Sequence, residues 1–329
     1  MADPQLIEQA EADPTTAVGA EPISSIKSKS PAQIAWDRLK RDPLAMICAV
    51  IVVFFIVIAV FAPLICKIIG VDPNTTNFDL IDQYGFPTIL QTRAHPFGIE
   101  PGIGRDLLAR WLYGARPSLL IAFSATILST LIGTLLGITA GFIGGTIDRV
   151  ISWIIDFFLS LPIILLVIAI SPIVASHFAA DSVTLSRVRL WTLVAIFGVF
   201  GWTGLARLIR AQVLSLRERE FVLAARAIGV PRSRIILREL LPNVTGQIIV
   251  FMSLSLPGYV ASEAGLSFLG IGLVEPTASW GRTLAAATPY YQNFPIYFWY
   301  PALGILFLVL SLNLLGDAIR DAFDPKTRR

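Results

Sequence analysis

The sequence has 329 residues, of which 55% are hydrophobic and 15% are charged, with a formal net charge of +3 and a mean hydropathy of +0.71. Soluble domains average about 45–50% apolar and about 25% charged residues, and the apolar excess here collects into runs too long for a soluble core. A soluble enzyme, a disordered protein and a disulfide scaffold are therefore excluded, and the composition favours a polytopic helical membrane protein.

The chain begins with a polar stretch. Residues 1–30 contain no apolar segment, so they predict a disordered cytoplasmic tail rather than a signal peptide. Ser30 and Pro31 are typical of an N-cap and a first helical residue. Apolar and basic side chains alternate through residues 31–41, which favours an interfacial helix on the cytoplasmic headgroups. A short polar linker is the alternative for this segment.

Six apolar runs follow, and a helix needs about 20 such residues to cross a bilayer. They cover approximately residues 44–65, 118–142, 150–170, 190–206, 244–266 and 296–316. Pro162, Pro257 and Pro301 fall inside three of the runs, where neighbouring helices can satisfy the freed carbonyls. In the second run, Gly133, Gly137 and Gly141 predict a small-residue face for close helix packing. The sequence therefore predicts an all-α protein with six transmembrane helices.

The distribution of Lys and Arg predicts the orientation. With the N-terminus inside, the inner segments carry 18 basic residues and the outer segments carry 8. The inner segments are 1–43, 143–149, 207–243 and 317–329, and the outer segments are 66–117, 171–189 and 267–295. Both termini are therefore predicted to be cytoplasmic.

The stretch between the fourth and fifth runs has a distinctive pattern. Acidic side chains up to Glu220 suit a helix N-terminus, and Gly229, two residues before Pro231, predicts a helix stop. A second short helix is predicted from Pro231 to about Leu241, ended by Pro242 and Asn243. An ordinary basic loop that satisfies the positive-inside rule is the alternative.

Small residues on the first of these helices allow another protein to approach it closely. The segment resembles the coupling-helix motif of binding-protein-dependent ABC transporter permeases, which reads Glu-Ala-Ala, three residues, Gly, nine residues, Ile, one residue, Leu-Pro. The positions in register are Ala224, Ala225, Gly229, Leu241 and Pro242. Leu223 and Glu239 depart from the motif, whereas Glu220 fits the Glu-Tyr-Val-x-Ala-Ala variant of the dipeptide/oligopeptide branch.

Further segments resemble the C-type permease subunit of that branch, which also includes nickel importers. His95–Gly98 followed by Gly104, Arg105 and Asp106 is similar to the external signature Gly-Thr-Asp-x-x-Gly-Arg-Asp, although Ile99 and Glu100 replace its Thr and Asp. The other similar segments lie at 113–119, 140–148, 156–162, 267–281 and 313–325. The ordered set covers about residues 32–326.

The resemblance implies a type I ABC importer permease in the bacterial cytoplasmic (inner) membrane, moving peptides or related small solutes. Its implied partners are a homologous second permease, two cytoplasmic ABC ATPase subunits, an extracytoplasmic solute-binding protein and the lipid bilayer. The domain limits it implies are an interfacial helix with the first span at 31–85, an external loop at 86–115, a permease domain at 116–317 and a cytoplasmic tail at 318–329. The residues implied to couple to the ATPases are Glu220, Ala224, Ala225, Gly229, Pro231, Leu241 and Pro242, and those of the external loop are Gly98, Gly104, Arg105 and Asp106.

Two ionisable residues fall inside apolar runs, where such groups are functional candidates by default. Asp156 lies about seven residues into the third run, and a structural hydrogen bond to a neighbouring helix is its alternative role. Glu263 lies near the outer end of the fifth run, where it either faces a translocation path or snorkels to the interface.

Enzyme motifs are absent from the sequence. No GxxxxGK[ST] phosphate loop, GxSxG or HExxH pattern occurs, so no catalytic, cofactor or metal site is predicted, and the small net charge predicts no nucleic-acid partner. Three alternatives remain open: a secondary transporter that works without ATPases, a non-transporting scaffold, and, within the family, an importer of nickel chelates or peptide antibiotics.

Overall fold

The computed structural model describes residues 31–89, 91–178 and 181–323. The predicted tail at 1–30 and the last six residues, 324–329, lie outside the described residues. Within the described ranges the chain forms twelve α-helices, and its only extended pairings are three isolated bridges. The predicted all-α fold is therefore confirmed for the described part of the chain.

The helices follow one another with short connections except at two places, residues 70–106 and 269–279. Their bounds are α1 Pro31–Leu39, α2 Pro43–Ile69, α3 Leu107–Ile143, α4 Gly145–Ser160, α5 Ile163–Phe178, α6 Ser182–Gly201, α7 Thr203–Leu216, α8 Glu220–Ala227, α9 Arg232–Ile235, α10 Leu241–Phe268, α11 Trp280–Ala287 and α12 Pro295–Phe323.

Five helical stretches of the described chain are long and apolar enough to cross a membrane, and they lie at 43–69, 107–143, 182–216, 232–268 and 295–323. Helices α4 and α5 pass the same test only as a pair, which is bent by 80°. The bend falls at Leu161 and Pro162, because proline cannot donate the backbone hydrogen bond that would continue the helix. With this pair counted as one broken span, each of the six predicted apolar runs lies within one candidate span.

The second span begins earlier than its apolar run. Helix α3 starts at Leu107, and the Asp106 carboxylate caps it by accepting a hydrogen bond from the Ala109 amide at 2.7 Å. The prediction began this span near Ser118 because Arg110 and other polar residues interrupt the hydropathy of its first turns. Residues 107–115, predicted as part of an external loop, are therefore helical.

Helix α3 packs most closely against α7. Added Cβ atoms at Gly133, Gly137 and Gly141 would come within 2.8 Å of backbone carbonyl oxygens of Trp202 and of α7. Because real Cβ atoms do not approach backbone so closely, only glycine fits at these positions. The predicted small-residue face is confirmed, and it holds the second and fourth candidate spans together.

Contacts between distant residues group several connections at one end of the bundle. Arg110 at the start of α3 pairs with Glu275, and Tyr297 at the start of α12 donates to Glu100. Ser171 in α5 donates to a carbonyl of the 269–279 segment. We call this the cap end, and the segment 71–106 that covers it the cap.

The remaining connections meet at the opposite end, which we call the loop end. Arg38 of α1 donates to the carbonyl of Ala322 near the end of α12. The Arg226 guanidinium of α8 lies over the Phe142 ring at the end of α3, 4.7 Å from its centroid. Helix α1 and the C-terminal end of α12 therefore lie at the same end of the bundle as α8.

Candidate functional site

Helix α8 at the loop end stops in a tight corner at Gly229. This glycine has a left-handed backbone with φ of +79°. Its amide donates to the Arg226 carbonyl at 3.1 Å, and the Val230 amide donates to the Ala225 carbonyl at 3.0 Å. These two bonds form a Schellman motif, which closes a helix C-terminus. The predicted helix stop at Gly229 is confirmed.

The second predicted helix does not end at Pro242. Residues 236–240 form a π-helical turn that leads directly into α10, so that one helix runs from Arg232 to Phe268. Pro242 has no amide to donate, and a wider turn ahead of it accommodates the missing bond. The Asn243 side chain donates to the Glu239 carbonyl at 2.6 Å. The segment after the corner is therefore a rigid extension of the fifth candidate span.

Apolar side chains anchor this corner to the ends of α3 and α7. Val222 of α8 is fully buried, as are Ile235 and Leu240 after the corner. They join one cluster with residues of the spans, and its remaining buried members are Ile138, Phe142, Leu205, Ile209, Val213 and Val244. A displacement of α8 is therefore transmitted directly to the packed spans.

The outer surface of α8 is apolar. Ile228 exposes 80% of its surface, and Phe221 and Leu223 expose 41% and 46%. Ala224 lies on this exposed surface, whereas Ala225 is half-buried against the anchoring cluster. Of the two predicted contact alanines, Ala225 therefore packs inward and Ala224 faces outward.

Basic side chains surround the same surface. Arg232, Arg234 and Arg238 are exposed and make no ion pair with the part of the chain that the structure describes. A groove of about 320 Å³ lies beside them, lined in part by Arg226, Arg232 and Phe142. Of the other predicted residues, Glu220, Pro231 and Pro242 are exposed and Leu241 is half-buried. The predicted set is therefore gathered at one end, beside three exposed arginines that form no ion pair within the described ranges.

At the cap end, the predicted external residues form one folded loop. Gly98 and Gly104 both have positive φ, +81° and +76°, and a Cβ at Gly104 would lie 2.7 Å from the Asn77 carbonyl oxygen. Asp106 accepts from His95 at 2.8 Å in addition to capping α3. All four predicted residues thus shape the cap itself.

Arg105 lies inside a network of ion pairs. Its guanidinium donates to the Glu100 carboxylate at 2.7 and 3.0 Å and lies 2.9 Å from Glu275. Burial alone would lower the pKa of Arg105, but the hydrogen bond and charge of Glu100, with the charge of Glu275, raise it above its ordinary value. Arg105 is therefore held as a cation with both carboxylates in contact.

The sequence reasoning missed two other members of this network. Arg110 is 1% exposed and pairs with Glu275 at 3.0 Å, and Tyr297 is fully buried and donates to Glu100. Burial alone would raise the pKa of Glu275, but the charges of Arg110 and Arg105 outweigh it and hold that pKa below its ordinary value. The available signal in the sequence was that Arg110 and Glu275 lie just outside apolar runs. Their pairing could not be predicted from it, because the two residues are 165 positions apart in the chain.

Glu263 neither faces an open path nor extends to the membrane interface, the two positions predicted for it. Its carboxylate is fully buried inside the chain and accepts hydrogen bonds from Ser267 at 2.8 Å, from Ser279 at 3.0 Å and from Ser118. These serines belong to α10, the following loop and α3. Glu263 therefore ties three elements together below the cap.

Asp156 is exposed on the surface of the chain. Its side chain retains 68% of its accessible surface and lies 2.6 Å from the Arg207 guanidinium of α7. This bears out the alternative role of a hydrogen bond to a neighbouring helix. The described residues contain no group of three or more His, Cys, Asp or Glu side chains placed to hold a metal ion.

Two family models match the sequence. Residues 133–329 match the binding-protein-dependent transport system inner membrane component. Residues 30–85 match the N-terminal transmembrane domain of oligopeptide transport permease C. The two matches cover the loop-end corner and the first span, respectively.

Full-length relatives agree with these matches. The chain is 34% identical over 310 residues to the oligopeptide transport system permease protein OppC of Bacillus subtilis, covering 94% of both chains. It is 36% identical over 307 residues to the dipeptide transport system permease protein DppC of Alkalihalophilus pseudofirmus, covering 93% of this chain and 94% of that one.

A solved structure shares the fold. A chain of the MetNI methionine ABC transporter in an inward-facing conformation superposes with a TM-score of 0.50 at 20% identity, covering 66% of this chain and 96% of that chain. Together with the family matches, this shows that the protein belongs to the family of binding-protein-dependent transport system inner membrane components.

Proposed function

We propose that this chain is the C-type permease subunit of an ABC importer for peptides in the bacterial cytoplasmic membrane, with both termini cytoplasmic. The names of its relatives refer to oligopeptide and dipeptide transport. The excess of basic residues on the loop-end segments, 18 against 8, supports a cytoplasmic loop end. The observation that carries the proposal is the Gly229 corner, with its exposed apolar helix and unpaired arginines.

The loop end is where two ATPase subunits would bind. Exposed Phe221, Leu223 and Ile228 offer an apolar contact, and exposed apolar residues beside charged ones are typical of protein interaction sites. The arginines that follow the corner would pair with acidic groups of the ATPase. Hydrolysis of ATP is therefore assigned to the partner chains, and this chain supplies no catalytic residue.

Movement of the ATPases would reach the membrane through α8. Val222 fixes α8 to the ends of α3 and α7, and the helix after the corner continues without a break from Arg232 to Phe268. At about 1.5 Å per residue, that helix carries a displacement along the whole thickness of the bilayer. The ATPases shift the permease between inward- and outward-open states only if they bind the two states with different affinities.

The cap end would face the extracytoplasmic solute-binding protein. Its folded loop is stabilised by the ion pairs of Arg105 and Glu275, so it offers a surface of fixed shape. A homologous second permease would complete the path for the peptide. The secondary-transporter alternative loses its main support, because Asp156 is exposed and paired with Arg207 rather than buried for ion coupling.

The proposal is tested by Gly229→Val. A Cβ at Gly229 meets open space, so the substitution acts through left-handed backbone strain of about 1–2 kcal/mol and distorts the corner without touching the core. We expect the variant to insert at normal levels, to lose co-purifying ATPase and to lose peptide uptake.

The matched control is Gly70→Val. Gly70 caps α2 at the cap end, has φ of +85° and also faces open space, so it carries the same strain away from α8. Gly70→Val should retain ATPase co-purification. Normal uptake by Gly229→Val, with no ATPase bound, would show that the assignment to ABC importers is wrong.

A further inference from the structure

A groove opens at the cap end between α3, the start of the apolar part of α6 and the cap. Its volume is about 340 Å³, and it is lined by Asn74, Tyr113, Arg116, Leu120, Leu190 and Thr277, among others. Most of the lining is apolar; we call Leu120, Leu190 and the prolines beside them its aliphatic half, and Asn74, Arg116 and Thr277 its polar half. The groove is separate from the α8 surface and from the buried ion pairs of the cap.

Arg116 differs from the other arginines at the start of α3. Arg105 and Arg110 are both buried in ion pairs, whereas Arg116 is exposed and makes no ion pair with the described residues. Its guanidinium lies 5.5 Å from the centre of the Tyr113 ring. This cation–π contact orients the group and leaves its donors available for an anion.

A nearby carboxylate, that of Asp72, keeps its negative charge but is held by backbone amides of the cap and not by Arg116. Asp72 precedes Asn74, but its Oδ1 accepts from the Asn74 amide at 2.8 Å and from the Thr75 amide at 2.9 Å. It therefore closes a turn of the cap, and no ion pair joins it to Arg116. The polar half of the groove thus offers a positive charge together with the Asn74 side chain.

The aliphatic half continues onto the membrane-facing surface of α3. The exposed large side chains of this helix recur every three to four residues, which places them on one face. They are Leu120, Phe123, Ile127, Leu131 and Leu135. Arg116 lies one turn before the first of them, so the groove begins where the apolar surface of α3 ends.

Helix α6 has its own boundary at the same level. Arg187 and Arg189 precede Leu190, the residue at which the fourth apolar run begins. Trp191 is exposed there, and exposed tryptophans are enriched where hydrocarbon meets headgroups. Two independent helices therefore place the groove at the headgroup level of the cap-side leaflet.

We propose that this groove binds an anionic phospholipid of the cap-side leaflet. Its phosphate contacts Arg116, and an acyl chain follows Leu120 and Leu190. The planar guanidinium suits phosphate because it presents several donors in a fixed fork. A peptide occupant is disfavoured, since its unpaired backbone groups would face hydrocarbon along α3.

The test uses the full chain in nanodiscs of phosphatidylcholine that contain a trace of photoactivatable phosphatidylglycerol. We expect cross-linked peptides from the groove, at residues 113–120 or around Leu190. Arg116→Gln should lower the cross-link yield about tenfold, as expected for the loss of a hydrogen bond to a charged group. The matched control Arg93→Gln removes an exposed arginine of the cap and should leave the yield unchanged.

A second variant keeps the test decisive if Arg116→Gln folds poorly. Leu120→Trp fills the aliphatic half while retaining the arginine, and it should also lower the yield. Excess phosphatidylglycerol should compete with the probe, whereas inorganic phosphate and oligopeptides should not. Equal cross-linking in wild type and both variants, or displacement of the probe by phosphate or peptide alone, would overturn the proposal.

Discussion

The ion-pair network beneath the cap and the Gly229 corner differ in how their arginines are paired. At the cap end, Arg105 and Arg110 are buried and paired with Glu100 and Glu275. At the loop end, the arginines that follow the Gly229 corner are exposed and make no ion pair within the described chain.

This difference distinguishes charges that are satisfied within the chain from charges that are left available to a partner protein. A buried ion pair satisfies its own members, and removing one partner leaves an uncompensated charge. An exposed arginine loses little when it is replaced, unless a partner protein uses it. Substitutions at the cap end should therefore change stability, and substitutions at the loop end should change partner binding.

The largest expected effect is on stability at the cap end. Arg110→Met removes a fully buried guanidinium that donates to Glu275, which keeps its contacts with Arg105 and Arg282. The substitution should lower the free energy of unfolding by about 1.5–3 kcal/mol, as expected for the loss of a hydrogen bond to a charged group. Thermal denaturation of the purified protein measures this loss. Arg93→Met, an exposed arginine of the same end, is the control and should shift the midpoint little. Equal midpoints for both variants would show that the network contributes no stability.

The next effect concerns function at the loop end. Ala224→Glu places a carboxylate on the exposed surface of α8, so the protein should fold with an unchanged denaturation midpoint. Uptake should nevertheless fall by about tenfold or more. The new carboxylate would have to leave water when α8 binds the ATPase, and burying a charge in an interface is costly. The conservative Ala224→Ser keeps the side chain small and should retain transport. A lowered midpoint in Ala224→Glu would contradict the comparison between the ends.

The smallest effect is the response of the cap end to acid. Glu275 has a folded-state pKa below its ordinary value of 4.5, so its contribution to stability is complete above that pH and is lost as the pH falls through the folded pKa. Wild-type stability should therefore drop more steeply than that of Glu275→Gln between about pH 5 and pH 3. Denaturation midpoints measured across this range test the prediction. Glu218→Gln, which alters an exposed carboxylate at the loop end, should follow the wild type.

The same reasoning applies to Arg105. A loop arginine that only contacted the binding protein could be replaced without loss of assembly. Arg105 instead holds Glu100 and Glu275 in contact, so Arg105→Ala should reduce the amount of folded protein as well as uptake.

Local chemistry predicted much of the loop end correctly. Gly229 predicted the corner because only a left-handed C′ residue completes the Schellman bonds at the end of α8. The prediction of a helix end at Pro242 was wrong, because the π-helical turn before this proline supplies the room that a regular α-helix lacks. The sequence also could not separate Ala224 from Ala225, since the packing of α8 against the ends of the spans decides which alanine faces inward.

The sequence by itself determined the helical membrane class, the six apolar runs and the excess of basic residues at one end, because hydropathy and charge act through composition along the chain. Only the tertiary structure decided that Glu263 is buried among three serines and that Arg110 meets Glu275. Those contacts join residues far apart in the chain, and the free energy that fixes them depends on burial, which no local pattern records.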